Sequence, residues 1–384
     1  MEILSDLNYY YDASLKAEEG SLWKRETQKF ENNFLYEIIK LRDDVMSHRY
    51  KITDGTSFIL NERGKKRYVN GKITRDRTVG HVICDDILLT RIEPFLVSDN
   101  GASRKGMGIS YVRGNFERDL HNFYLEYGDN NGYVVLSDFS KFYDNILHDV
   151  IREQIAPFLK TDTERWLFDT IIKKFEVDVS YMTDEEYERC MEVVFNSVEY
   201  YSQNYPQTGE KMMKKSVDIG DQVSQVIGIF HPTPYDNYLK TVKGYKRKHR
   251  YMDDTAIIVR TYDEALQAIR DIKDGARPLG INVNDRKTRI CPLSRTFTYL
   301  QRRYFLTEKG KVVKRINRKN LKRSKDRIKA YRRLLDKGRM PYEDIKNSVK
   351  SWAGMNYKIM SKPQRDNVST LYKELFKEEL KWKK

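Results

Sequence analysis

The sequence predicts an α+β chain that folds as one cooperative body with lobes. Three observations carry that expectation. Long segments space their apolar residues by three and four, the mark of one buried helix face. Between them lie short apolar runs of strand length, "GYVVLSDF" and "TAIIV", and short strands around "RTFTYLQRRYFL". Across the 384 residues no repeat or low-complexity linker sets one part off from another, and 39 % apolar residues suffice for a real core.

The elements follow in order. Phe30, Phe34, Leu35, Ile38, Leu41 and Val45 predict one helix with these side chains on its buried face. "FILNERGKKRYV" reads as two strands around the turn Glu62-Arg63-Gly64. "TVGHVICDDILLTRIEPFL" returns to helical spacing and stops at Pro94. "DNGASRKGMGISYVRGNF" is a loop of glycines and cations leading into a helix. The strand "GYVVLSDF" precedes the helix "NILHDVIREQIAPFL", expected to be capped by Asp144 and ended near Pro157. Residues 176–216, polar and then Tyr-rich, read as helices with a loop near Pro206. "KGYKRKHRYM" and "TAIIV" are strands with "MDDT" at the hairpin tip. A helix, "DEALQAIRDIKDGARPLG", short strands around "RTFTYLQRRYFL", a basic window and a helical C-terminus complete the chain.

Charge is concentrated. The 71 Lys and Arg against 56 Asp and Glu give +15, and +13 of it falls between Lys309 and Arg339, where fifteen cations face only Asp326 and Asp336. Such a basic arm is the footprint of a polyanion. Leu321, Ile328, Tyr331 and Leu335 share one helical face and leave most cations outward, with Lys319, Lys322, Arg323 and Arg332 as candidate nucleic-acid contacts. No apolar run approaches the ~18 residues of a spanning helix and no signal peptide is visible, so no membrane role is expected. Cys84, Cys190 and Cys291 are too dispersed for a metal knuckle or a disulfide framework, which fits a reducing cytoplasm. The six histidines show no metal-ligand spacing.

One constellation carries chemistry. Asp253 and Asp254 stand side by side at the tip of "HRYMDDTAIIV", where their charges repel unless a cation or a set of donors lies between them. A second carboxylate, Asp138, ends the buried strand in "VVLSDFSKFYDNI". If the two segments are neighbours, Asp138 and Asp253 can share two Mg²⁺ ions about 4 Å apart.

At this point the chain resembles the reverse transcriptases. "YMDD" between "KRKHR" and "TAIIV" is similar to their palm hairpin, and "DFSKFYDNI" to their first catalytic motif. The resemblance implies Asp138 as a metal ligand with the Phe139 carbonyl, and Asp253 as its partner, with Asp254 in support. Tyr143 matches the aromatic that excludes a 2′-hydroxyl. "IGDQVSQVIGIF" resembles the template- and nucleotide-positioning motif, with Gly220, Ser224 and Gln225 in register. Asp236 falls where relatives place an Asp after it. "LGINVNDRKTRI" brings Lys287 near the triphosphate, as an acid towards pyrophosphate or a phosphate partner. "FTYLQRRYFL" resembles the primer grip and "VKSWAGMNYK" a thumb helix. Arg63, Arg67 and Arg75 match finger cations that hold a triphosphate. Tyr251 packs under the primer end or into the palm. Implied cofactors are two Mg²⁺, with Mn²⁺ as a substitute. Implied partners are an RNA template, nascent DNA and dNTPs.

The same resemblance implies the right-hand polymerase fold. Its fingers and N-terminal extension would be residues 1–131. The palm, with an antiparallel sheet and a helical insertion at about 150–216, would be 132–305, and the basic helical thumb 306–384. No RNase H, maturase or endonuclease domain is expected after the thumb. "IGDQVSQ", a G-x-x-x-S-Q form, departs from the "QGxxxSP" of group II intron enzymes, and the retron signatures are absent. It is similar to the form in diversity-generating retroelement enzymes and in defence-associated, abortive-infection-like enzymes. "DFSKFYDNI" departs from the "DIxKYFxSI" of the former, which favours antiphage defence with a dedicated non-coding RNA from the same operon and, in some systems, a second protein. The alternatives are a diversity-generating enzyme and a catalytically silent RNA-binding scaffold.

Overall fold

Helix starts are set by short polar side chains. In the computed structural model, which describes residues 2–53, 55–62, 64–198 and 207–382, Asp6 caps helix Leu7–Glu18 through the Asn8 amide. Thr161 and Thr183 close capping boxes with Glu164 and Glu186 over helices Asp162–Lys174 and Asp184–Glu192. The helix predicted through Phe30 and Val45 is two, Arg25–Asn32 and Phe34–Met46, because Asn33 leaves helical geometry between them. The break resets the phase: Ile38, Leu41 and Val45 are buried, while Leu35 is exposed. Asp144 caps no helix. It accepts from the Ser197 hydroxyl (2.7 Å), and the helix begins later, at His148.

The strands, in chain order, are β1 (Thr56–Glu62), β2 (Lys65–Gly71), β3 (Tyr133–Asp138), β4 (Val177–Asp178), β5 (Met212–Met213), β6 (Lys248–Tyr251), β7 (Asp254–Val259), β8 (Arg289–Pro292), β9 (Phe297–Tyr299), β10 (Arg302–Leu306) and β11 (Val312–Ile316). They form the pairs β1-β2 and β4-β5, a β11-β10-β9 sheet and a β6-β7-β3-β8 sheet. The architecture is α+β, as predicted. The β4-β5 pair is too short to leave a period-two signal, so residues 176–216 read as helical in sequence; around it Val177, Val179, Met182, Cys190, Phe195 and Met213 make a small core of their own.

The chain divides into two compact units. The first comprises Met1–Val112, Ser137–Ile257 and Leu266–Arg289. In it residues 74–92 are helical throughout, with a π-helical stretch at Val82–Leu88. The second comprises Arg113–Leu136, Ile258–Ala265 and Ile290–Lys384. Its basic helix, Arg318–Asp336, buries Ile328 and packs Leu321, Tyr331 and Leu335 against Ile345, Val349 and Val368, the face predicted from the spacing. Among the described residues no helix is long and apolar enough to cross a membrane.

Candidate active site

Strand β3 is buried from Val134 through to its last residue, so Asp138 is delivered at a fixed place with only 9 % of its surface exposed. Main-chain bonds join three segments around it. The Phe139 N–H donates to the Asp253 carbonyl (3.3 Å), Ser140 N–H to the Asn282 carbonyl (2.7 Å) and Asn284 N–H to the Asp138 carbonyl (2.8 Å). The Lys287 ammonium pairs with Asp138 Oδ2. Asp138 Oδ1 is buried and has no hydrogen-bond partner among the described residues.

The Asp253 turn is a tight one between β6 and β7, with Tyr251 opposite Asp254 and Met252 in the left-handed region at φ 53°. A buried ionic cluster holds it. Arg250, fully buried, donates from Nη1 to the Met252 carbonyl (3.0 Å), from Nη2 to the Ile229 carbonyl (3.1 Å) and from Nε and Nη2 to Asp236 (2.8 and 2.6 Å). Lys248, also fully buried, pairs with the same carboxylate. Burial works against the Asp236 charge, but Arg250 and Lys248 outweigh it and hold its pKa below the ordinary value.

Asp253 and Asp254 sit where burial opposes their charge. Asp253 is raised by burial against the pull of Lys65, Arg67 and Arg250. Asp254 is pushed up to about 7 by burial and by the Asp253 charge, against Lys65 and Arg289. Lys65 and Arg67 alternate along β2 and therefore share a face. Tyr143 is pushed up to about 12 by burial and by the Asp253 charge. Its ring lies over the helix Gln222–Phe230 at Gly228, where a Cβ would come within 2.8 Å of the phenol oxygen.

The structure thus brings together Asp138, Asp253, Asp254, Lys287, Arg67 and Tyr143. Phe139 is buried beneath them, its ring against Phe142 and Tyr235. Tyr251 is half-buried and Gln225 exposed. Arg63 lies outside the described residues. Arg75 is engaged elsewhere, by Asp44 (3.0 Å), Asp76 (3.6 Å) and the Tyr50 ring. In the other unit Lys319, Lys322 and Arg323 are exposed on the basic helix, whereas Arg332 is held by Asp336 and the Leu375 carbonyl. Sequence reasoning passed over Lys65, whose step of two from Arg67 was the available signal. It also gave Lys248 and Arg250 of "KRKHR" no role of their own, although the same step of two puts both on one strand face.

Among the described residues no group of three or more His, Cys, Asp and Glu stands ready as a complete ligand set. The donors present still suit a hard divalent ion. Asp138 has an unpartnered buried oxygen, two further carboxylates are raised by burial, and Mg²⁺ takes few protein oxygens and fills its shell with phosphate and water.

The sequence profile of "Reverse transcriptase (RNA-dependent DNA polymerase)" matches residues 84–301, more than half of the chain. No curated protein matches in sequence. Among solved structures, telomerase from Candida albicans in complex with a TWJ fragment of telomeric RNA is similar at TM-score 0.47 and 11 % identity, over 91 % of this chain and 60 % of that one. Apo telomerase from Candida tropicalis is similar at TM-score 0.48 and 12 % identity, over 84 % and 58 %. The chain spans about three-fifths of the length of these two. By the family match across residues 84–301, the chain belongs to the reverse transcriptases.

Proposed function

We propose that the chain is an RNA-directed DNA polymerase that extends a 3′-hydroxyl with dNTPs on an RNA template. The observation that carries this reading is the stitching of the Asp138 strand end to the Asp253 turn, with Lys287 on one carboxylate and the Lys65–Arg67 face acting on the other. Asp138, Asp253 and the Phe139 carbonyl would hold divalent metal, with Asp254 in support. Bound there, Mg²⁺ (or Mn²⁺) supplies Lewis acidity at the attacking and leaving oxygens. The chain's own residues do the rest. Lys65 and Arg67, with Arg63 two residues before Lys65 in sequence, hold the triphosphate. Lys287 neutralises or protonates the departing pyrophosphate, Tyr143 occupies the space a 2′-hydroxyl needs, Gln225 positions the nucleotide on its template, and Tyr251 lies by the primer end. Arg75, engaged by Asp44, Asp76 and the Lys51 carbonyl, would tie its own segment to residues 44–51 rather than touch phosphate.

In this reading residues 1–131 are an N-terminal extension and fingers, 132–305 palm with its insertion, and 306–384 a thumb whose Lys319, Lys322 and Arg323 grip phosphates. The "IGDQVSQ" and "DFSKFYDNI" forms favour antiphage defence in the cytoplasm, on a non-coding RNA of the same operon and beside a second protein of the system. The experiment is to purify wild type and Asp253→Asn from the native operon, sequence the bound nucleic acid and assay dNTP incorporation. One discrete RNA in both, with complementary DNA only in wild type and incorporation reduced at least a hundredfold in the variant (about 3 kcal/mol of barrier), is expected. Incorporation that survives in Asp253→Asn sinks the catalytic assignment. No DNA from either protein, with RNA retained, leaves a silent scaffold. In the same assay Tyr143→Ala should admit ribonucleotides; unchanged selectivity removes it as the gate.

A further inference from the structure

The cations assigned to the triphosphate stand on a two-stranded hairpin that must be aimed. Three attachments join the end of β2 to residues 218–221, the loop entering the helix Gln222–Phe230. Val69 bridges Ile219, Asn70 Nδ2 donates to Asp218 Oδ1 (2.7 Å), and the Lys72 ammonium pairs with the Asp221 carboxylate. The Lys72 and Asp221 side chains are only 11 % and 3 % exposed, and the ammonium lies 5.3 Å from the centre of the Phe175 ring. Asp221 also caps the helix, accepting from Val223 N–H (3.1 Å). Gly220, at φ +99°, makes the turn between the attachments, with Val69 Cγ1 3.5 Å from where a Cβ would stand.

A buried ion pair contributes little net stability, because desolvation offsets the attraction; what it sets is geometry. At about 3.3 Å per residue, Lys65 lies roughly 23 Å along the strand from Lys72, so a tilt of about 5° at the base moves its ammonium by about 2 Å. Misplacements of that size matter for a group that must meet a phosphate.

We propose that Lys72 and Asp221 are positioning residues for nucleotide binding: their ion pair fixes the base of the β1-β2 hairpin so that Lys65 and Arg67 meet the triphosphate of the incoming dNTP. This rests on the reading of the hairpin given above. The test is steady-state dTTP incorporation on poly(rA)/oligo(dT) with Mg²⁺, for wild type, Lys72→Met, Lys72→Arg, Asp221→Asn, Asn70→Ala and, as reference, Arg67→Met. Asp221→Asn keeps the cap acceptor and removes only the charge. KM for dTTP should rise about tenfold in Lys72→Met and Asp221→Asn and less in Asn70→Ala. kcat and the KM for primer-template should stay within twofold, and Lys72→Arg should recover most of the loss. A rise in Arg67→Met without one in the Lys72 and Asp221 variants overturns the latch and leaves the hairpin reading standing. A KM unmoved by Arg67→Met removes the hairpin reading itself. Equal changes in kcat and in the KM for primer-template would mark general damage, and these too would overturn the assignment. Thermal melting of each variant separates misfolding from misplacement, and Asn70→Ala tests the same attachment while leaving the Lys72–Asp221 pair in place.

Discussion

Strand β6 and the helix Arg318–Asp336 are both rich in cations, and they use them in opposite ways. In β6, Lys248 and Arg250 are fully buried and share one carboxylate, Asp236, and Arg250 holds the main chain next to Asp253. On the helix, Lys319, Lys322 and Arg323 stay in water while Ile328 turns inward. Spacing decides which happens. A step of two on a strand puts both cations on one face, and if that face is inside they need a counter-charge. Steps of three and four on a helix leave a second face free for solvent and for phosphate. A buried cation therefore organises structure, and an exposed one recruits a partner.

The comparison breaks most visibly at Asp236. Asp236→Ala leaves two buried cations without a counter-charge and should cost about 3–5 kcal/mol in urea unfolding. A loss below about 1 kcal/mol would show that the cluster is no more structural than the helix cations. A smaller lever is His148, buried with Nε2 against the Ser216 carbonyl and Nδ1 unpartnered among the described residues. Burial lowers its pKa from 6.5 to about 4; Arg152 and Lys214 act in the same direction, and Asp149 and the Ser216 carbonyl oppose. Above pH 6.5 both states leave it neutral. As pH falls towards 4 the unfolded chain takes up a proton that the folded chain refuses, so stability drops, by about 2 kcal/mol at pH 5. His148→Gln should flatten that part of the stability profile relative to wild type; an unchanged slope between pH 6.5 and 5 refutes it. The smallest effect on folding belongs to the helix. Replacing Lys319, Lys322 and Arg323 together with Gln should leave the urea midpoint in place. RNA affinity should fall, with the slope of log affinity against log salt reduced by about 2–3. A shifted midpoint with unchanged affinity would reverse the roles of the two regions.

Particular residues show how far the sequence could be read. Asp138 was legible because an unbroken apolar strand leads into it, and the YMDD turn because two strand patterns flank it. The thumb face of Leu321, Ile328, Tyr331 and Leu335 was legible from helical period alone. Leu35 was misplaced because a single Asn33 shifted the helical phase, which no window average registers. Asp144 was read as a cap because capping is local, whereas its partner, Ser197, is far along the chain.

By itself the sequence determined the periods, the turn chemistry, the order of the motifs and the concentration of charge, since each depends on residues close together in the chain. Only the tertiary structure decided which charges are buried and which carboxylate faces which cation: Asp236 between Lys248 and Arg250, Lys72 on Asp221, Lys287 on Asp138. The physical reason is that the worth of a charge depends on its dielectric surroundings and on partners brought from distant segments, and both come into being only when the chain has folded.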